Sequence, residues 1–203
     1  DFSEMFYEAS AFNQDIGDWD VSSGTNFQYM FSEASEFNQD IGDWDVSSGT
    51  NFHAMFLCYG NSVFNQDISD WDVSNGTDFS LMFYGSEVFN QDLSSWTLSE
   101  NSTLTSMFAG ADLMQSNQGV GDTPSIYYFN PFPNKATLQT AVDAWIDDQD
   151  AAKELYGDIN KWDVSKITDF SDLFKDETTF NSDISDWDVS NGTNFSQMFD
   201  NAS

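Results

Sequence analysis

Apolar residues recur along this 203-residue chain in a fixed pattern. It is clearest from Phe12 to Val21, which reads Phe12-Asn13-Gln14-Asp15-Ile16-Gly17-Asp18-Trp19-Asp20-Val21. Ile16, Trp19 and Val21 are apolar, with Asp18 and Asp20 set between them. The step from Trp19 to Val21 is strand alternation, which puts both side chains on one face. A second set comes next, Phe27, Met30, Phe31 and Ala34. Its spacing of i, i+3, i+4 and i+7 is that of an amphipathic helix. Thr25 and Gln28 read as a capping box at the start of that helix. One unit is therefore expected to be a short strand, a Ser-Gly turn, a short helix and a Phe-Asn corner.

The unit returns from Phe37 to Val46 and from Phe64 to Val73, and with substitutions from Phe89 to Leu98 and from Phe180 to Val189. An altered version ends at Val164. Trp19, Trp44, Trp71, Trp96, Trp162 and Trp187 mark the beat. No single unit can bury its own Trp, Phe and Met, whereas stacked units can. The expected fold is therefore an α/β solenoid, leucine-rich-repeat-like. Its units are about 25 residues long, with one short parallel strand and one short helix each, and a capping helix separates two blocks.

Residues 1–111 form the first solenoid block. Its fourth unit is degenerate, with Ser95 and Thr97 in place of the strand acids. Residues 112–134 lose the pattern, and Gly119, Gly121, Pro124, Pro131 and Pro133 break regular structure there. Tyr127, Tyr128, Phe129 and Phe132 make this stretch a packed cap and joint rather than a loose linker. Residues 135–203 hold the capping helix and the start of a second block. The helix is expected from Ala136 to Tyr156, with Leu138, Ala141, Val142, Trp145, Ile146 and Leu155 as its apolar stripe. Both ends fall inside a unit, as in an excerpt from a longer chain. Laying Phe195–Phe199 on Phe2–Phe6 closes the frame after 193 residues. A tandem array or a subunit stacking end to end would give this, and so would any cut through a repeat.

Composition narrows the function classes. Asp and Glu number 35 against 5 Lys and Arg, for a net charge of −30. Nucleic acid and anionic membrane surfaces need clustered Lys and Arg, so both are excluded as partners. Such a charge repels itself unless salt or bound cations screen it, which points to an extracellular setting. The single cysteine, Cys58, rules out an intrachain disulfide. No apolar run is long enough to span a membrane, and no signal peptide is visible.

Little in the chain suggests chemistry. His53 is the only histidine, and Cys58 has no base near it in sequence. There is no phosphate loop and no His/Cys metal spacing. The abundant carboxylates repeat in identical surroundings, the opposite of what acid–base catalysis needs. The acids do form columns if units stack in register: Asp18, Asp43 and Asp70 in one, Asp20, Asp45 and Asp72 in another. Three readings stay open for these six: a solvated face, a Ca²⁺ site or a surface that docks a basic or glycan partner. Asp15, Asp40, Asp67, Asp92, Asp158 and Asp183 precede the strand and are expected to bond backbone amides. Asn13, Asn38, Asn65, Asn90 and Asn181 should form a ladder beside them. Glycosylation sequons occur at Asn75, Asn101, Asn191, Asn194 and Asn201.

The motif Asp183-Ile184-Ser185-Asp186-Trp187-Asp188-Val189-Ser190, with Thr-x-Phe and Met-Phe after it, resembles the BspA-like surface repeats. That domain of unknown function was first noted in mycoplasma lipoproteins and is placed near the leucine-rich repeats. The stretch Leu138 to Tyr156, with Trp162-Asp163-Val164-Ser165 after it, resembles the usual start of such a domain. The resemblance covers almost all of the chain outside 112–134. It implies a cell-surface protein of adhesion or envelope assembly and no catalytic residues. Gly24, Gly49, Gly76 and Gly192 depart from the pattern, because that family has an aliphatic residue there, as at Ile167. Two functions are expected. One is an extracellular structural protein that builds a filament or surface layer by end-to-end stacking. The other is an adhesin whose acidic face takes a cation, glycan or protein.

Overall fold

The computed structural model describes residues 1–202. The coils do stack, but they are not built from strands and helices. Among the described residues the only strand-like pairings are isolated parallel bridges: Asn26 with Asn51, Asn51 with Asp78, Asp78 with Thr103, and Asp169 with Asn194. The α-helices lie in the joint and just beyond it: α1 (Asp112–Gln118), α2 (Lys135–Asp147) and α3 (Gln149–Tyr156). The expected α/β solenoid, leucine-rich-repeat-like with a strand and a helix per unit, is therefore overturned. The chain is mostly loop, ordered by turns.

The reason lies in the backbone of the segment with helical spacing. Tyr29 and Glu33 have φ of 54° and 61°, in the left-handed region. The same two places recur in other coils, as Glu4 and Glu8, Leu81 and Gly85, Ser106 and Gly110, and Asp172 and Asp176. A left-handed residue every fourth position breaks the i→i−4 ladder that an α-helix needs. The segment forms instead a run of turns, and in those closed by Met30 and Ala34 the third residue is left-handed, as in type II turns. Met30 N–H donates to Phe27 C=O, Ser32 to Tyr29 and Ala34 to Phe31. The alternate N–H groups leave the coil. Phe27, Tyr29, Phe31 and Glu33 donate to the carbonyls of Asn51, His53, Met55 and Leu57 in the next coil, at 2.8–3.0 Å.

The spacing that suggested a helix still marks the buried side chains. Phe27, Met30, Phe31 and Ala34 are all buried. Each ring sits on its counterpart one coil on: Phe27 on Phe52 at 5.4 Å, Phe52 on Phe79 at 5.2 Å, Phe31 on Phe56 at 5.6 Å. The corner phenylalanines close the core from the side, with Phe31–Phe37, Phe56–Phe64 and Phe83–Phe89 each at 4.1 Å. Burial of such a side chain is worth about 1.5–3 kcal/mol. Several per coil outweigh the roughly 1–2 kcal/mol of each left-handed residue.

The expected strand is a turn as well. Trp19 N–H donates to Ile16 C=O and Gly24 N–H to Val21 C=O. Each indole N–H then reaches back one coil, Trp44 to Ile16 C=O, Trp71 to Ile41 and Trp96 to Ile68, at 3.0–3.1 Å. Thr25 caps no helix; its carbonyl accepts the Thr50 hydroxyl and amide. The glycines that replace an aliphatic residue leave no gap. A Cβ on Gly24, Gly49, Gly76 or Gly192 would meet the tip of Phe27, Phe52, Phe79 or Phe195 at 2.2–2.5 Å, so the ring three residues on fills that corner.

Two hydrophobic clusters result, one running from Ile16 to Phe129 and one from Phe132 to Met198. The helix expected over Ala136–Tyr156 is two, broken at Asp148 (φ −151°), whose carboxylate caps α3 through Ala151 N–H. Leu138, Ala141, Val142 and Trp145 of α2 are buried, whereas Leu155 of α3 is exposed and Ala152 takes its expected place in the core.

This backbone makes opposite demands at two sites. Gly85 (φ +68°) should not tolerate a side chain, since a Cβ there would lie 1.9 Å from the Cys58 carbonyl oxygen. Gly85→Ala is expected to cost about 2 kcal/mol or more, against a gain of up to about 1 kcal/mol for Asp172→Gly at φ 57°. Urea denaturation of both variants checks the pair; a destabilised Asp172→Gly would mean that residue is not left-handed in solution.

Candidate functional site

The acid columns expected from the sequence are on the surface, but their two members differ in kind. Asp20, Asp45 and Asp72 are pinned. Each Oδ1 accepts the N–H of the serine two residues on, at 3.1 Å, and its hydroxyl at 2.6–2.7 Å. Those bonds, the serine hydroxyl first and its amide second, hold all three carboxyls below the ordinary value. Around Asp45 the charges of Asp20 and Asp72 push the other way. Asp18, Asp43 and Asp70 are exposed to solvent. Among the described residues no group of three or more His, Cys, Asp or Glu is placed to hold a metal ion.

The corner acids do what short-range chemistry asks of them. Asp15, Asp40, Asp67, Asp92, Asp158 and Asp183 each accept the amide two residues on, at 2.9–3.1 Å. Beside them runs an amide ladder. Asn38 N–H donates to Asn13 Oδ1, Asn65 to Asn38 and Asn90 to Asn65, at 2.8–3.0 Å. Gln39, Gln66 and Gln91 add a side-chain amide to the same acceptors.

His53 is less isolated than its sequence suggested. Its Nε2 lies 3.0 Å from the Tyr29 hydroxyl and its Nδ1 2.7 Å from Ser80 Oγ. Ser80 in turn donates to Asp78 Oδ1. The four groups stitch three successive coils together. Aligning the units places His53 over Ser80 in one column, which is the signal that could have found the pair. Ser80 is buried, and its hydroxyl lies between His53 and Asp78. Cys58 is buried, and burial with the Glu33 charge beside it pushes its thiol up.

The sequons differ in what their amide nitrogen does. Nδ2 of Asn75 donates to Ser47 C=O, that of Asn191 to Ser165 C=O and that of Asn201 to Asp176. Asn194 accepts from Ser196 through Oδ1, and Asn101 is exposed. Ser203, which completes the last sequon, lies outside the described residues.

The most distinctive geometry is the polarity of the ladder. In the segment of stacked phenylalanines each coil sends N–H groups toward the C-terminal side and presents carbonyls toward the N-terminal side, whereas at the threonine turn the amide runs back, as from Thr50 to the Thr25 carbonyl. Inside the chain both kinds of edge are capped. Ser106 N–H meets Thr123 Oγ1 at 2.7 Å and Phe108 N–H meets Asp122 C=O at 3.0 Å. On the other side of the joint, Lys135 and Gln139 of α2 donate to the carbonyls of Ser171 and Leu173. The first and last coils keep the same register. By register the carbonyls of Asp1, Ser3, Met5 and Tyr7 face out of one end, and the N–H groups of Phe195, Gln197, Phe199 and Asn201 out of the other. Phe195 and Phe199 stack on Phe170 and Phe174 at 5.1 and 5.3 Å and remain 43% and 47% exposed.

Stacked coils, side-chain ladders at each corner and a repeated surface define a repeat protein. The family model described as "Mycoplasma protein of unknown function, DUF285" matches residues 1–59, 57–145 and 149–203, and the chain belongs to that family. No curated protein and no solved structure matches it. No helix among the described residues is long and apolar enough to cross a membrane.

The acid face can be tested in two ways. A carboxyl held below its ordinary value of 3.8 contributes stability above that pH and loses it as the pH falls through the lowered folded value. Ser74→Ala, which removes the main bond to Asp72, should therefore be less stable than the unmodified protein at pH 7, with a smaller gap at an acidic pH well below 3.8. Urea titrations at both pH values check this, and a gap of equal size at both would refute it. Among the described residues no three acids gather as a metal would need, so calcium should raise Tm no more than sodium chloride of equal ionic strength. A larger rise in a calcium melt would favour the metal reading of the six column acids over a solvated face.

Proposed function

We propose that the chain is a non-catalytic structural repeat protein of the cell exterior, of the BspA-like kind, which builds a filament or surface layer by stacking coils end to end. One observation supports this: the coils keep one register, each pairing its N–H row with the next coil's carbonyl row and its phenylalanines with the next coil's, so a coil offers another copy the surface it offers its neighbour. An edge of unpaired N–H or C=O groups is a template for another chain. Here the N–H row of the last coil matches the carbonyl row of the first in register and direction. The aromatic columns match too, Phe195 toward Phe2 and Phe199 toward Phe6 of the next copy. The repeated, mutually satisfied side chains favour a scaffold over an enzyme. The exterior setting rests on the charge of −30, which calls for screening. Asn101 is the sequon most open to a glycan. A second reading, an adhesin, is favoured by the tyrosine-lined groove between Tyr7 and Tyr59 on the flank of the stack.

At 0.15 M salt, where the Debye length is about 8 Å, end-to-end repulsion is largely screened. Electron microscopy and sedimentation of the 203-residue protein should then show linear assemblies that grow with concentration. Phe199→Asp, which sets a charge against the aromatic edge, should return them to single copies. A monodisperse single copy at all concentrations would contradict the proposal.

A further inference from the structure

The repeat is broken in one place by extra residues, and that place builds a groove. The third coil carries a two-residue insertion within Leu57–Val63, and insertions in repeat arrays gather on one face that often binds. Here it turns at Gly60 (φ +110°) and Asn61 (φ +63°) and lifts Tyr59 clear of the coil, 78% exposed. Tyr59 rests edge-on against Tyr84 at 5.7 Å, which holds its ring upright. Across the groove Tyr7, from the first coil, is braced edge-on by Tyr29 at 6.2 Å. Glu8, Glu33, Ser10 and Ser35 complete a cavity of about 580 Å³. Glu33 is fixed there, since its Oε1 accepts Tyr59 N–H at 3.0 Å. The charges of Glu8, Glu33 and Glu4 act together on the Tyr7 hydroxyl, and the Glu8 bond and charge push its pKa up.

Two exposed tyrosine rings flanking Glu8 and the fixed carboxylate of Glu33 make a site for a cation that also offers an apolar stem. We infer that this groove takes a lysine or arginine side chain from an extended basic segment of another protein. The ammonium or guanidinium lies against the tyrosine faces while Glu8 and Glu33 balance its charge. A neutral sugar would also stack on Tyr59, but it would gain nothing from the acids or from a protein field of −30. The field steers a basic partner and repels other copies of this chain, which has only 5 Lys and Arg. Binding here does not depend on end-to-end assembly, because the groove lies on the flank of the stack.

The probe is a fluorescent, unstructured peptide of alternating Lys and Gly, titrated by anisotropy at about 0.15 M salt. Tyr59→Ala should weaken it about fivefold and Tyr59→Phe should restore binding. Glu8→Gln should weaken it as well, while Asp147→Asn, exposed at the end of α2 and outside the groove, should leave it within experimental error. Tyr59 is on the surface, so its variants should keep the parent Tm. The inference is overturned if the peptide fails to bind, if Tyr59→Ala binds as well as the parent, or if Asp147→Asn weakens binding as much as Glu8→Gln. It is equally overturned if a neutral oligosaccharide binds the groove more tightly than the peptide.

Discussion

Every coil depends on one backbone device, a left-handed residue set where it turns alternate N–H groups out of the coil and into the next. Tyr29 and Glu33 do this in the second coil, Leu81 and Gly85 in the fourth. The device is costly for any residue but glycine, at about 1–2 kcal/mol each. A coil that used it alone would not form. It persists because four hydrogen bonds to the next coil, each worth about 0.5–1.5 kcal/mol net, come with buried stacked rings. Backbone pairing and aromatic stacking share one repeat distance, so neither is satisfied without the other. The corner ladders of Asn38, Asn65 and Asn90, and the indole bonds of Trp44, Trp71 and Trp96, result from the same register.

The side chains that share the core were legible in the sequence. Phe27, Met30, Phe31, Ala34, Ile41 and Trp44 are all buried as their spacing requires, and the units stack at the beat the tryptophans set. The corner acids and the asparagine ladder could also be read, because an Asp that accepts an amide two residues on is local chemistry. The backbone that carries these side chains could not. A period near 3.6 fits an α-helix, but it equally fits turns that alternate right- and left-handed residues. Only glycine advertises a left-handed position, and here non-glycine residues, Tyr29, Glu33, Ala54 and Leu81 among them, occupy most of them. Nothing in the side chain of a leucine announces that φ. The break of the expected long helix at Asp148 was written more openly, since Asp is a favoured N-cap.

The surface divides by the same logic. The pinned acids at Asp20, Asp45 and Asp72 are turn residues, and their repetition follows from the repeat of the fold. The places that depart from the repeat carry more information. At the joint, Thr123, Asp122, Lys135 and Gln139 close the ladder with groups of the right polarity. In the third coil the insertion raises Tyr59 over Glu33.

The central claim is that a coil is a run of turns with left-handed residues rather than a strand and a helix. Backbone torsion angles from NMR couplings and intraresidue amide–Hα cross-peaks at Tyr29, Glu33, Ala54 and Leu81 test it most directly. Positive φ near the 51–61° of these residues is the predicted result. Negative, helical φ at these four positions, with successive amide contacts through Phe27–Ala34, would contradict it.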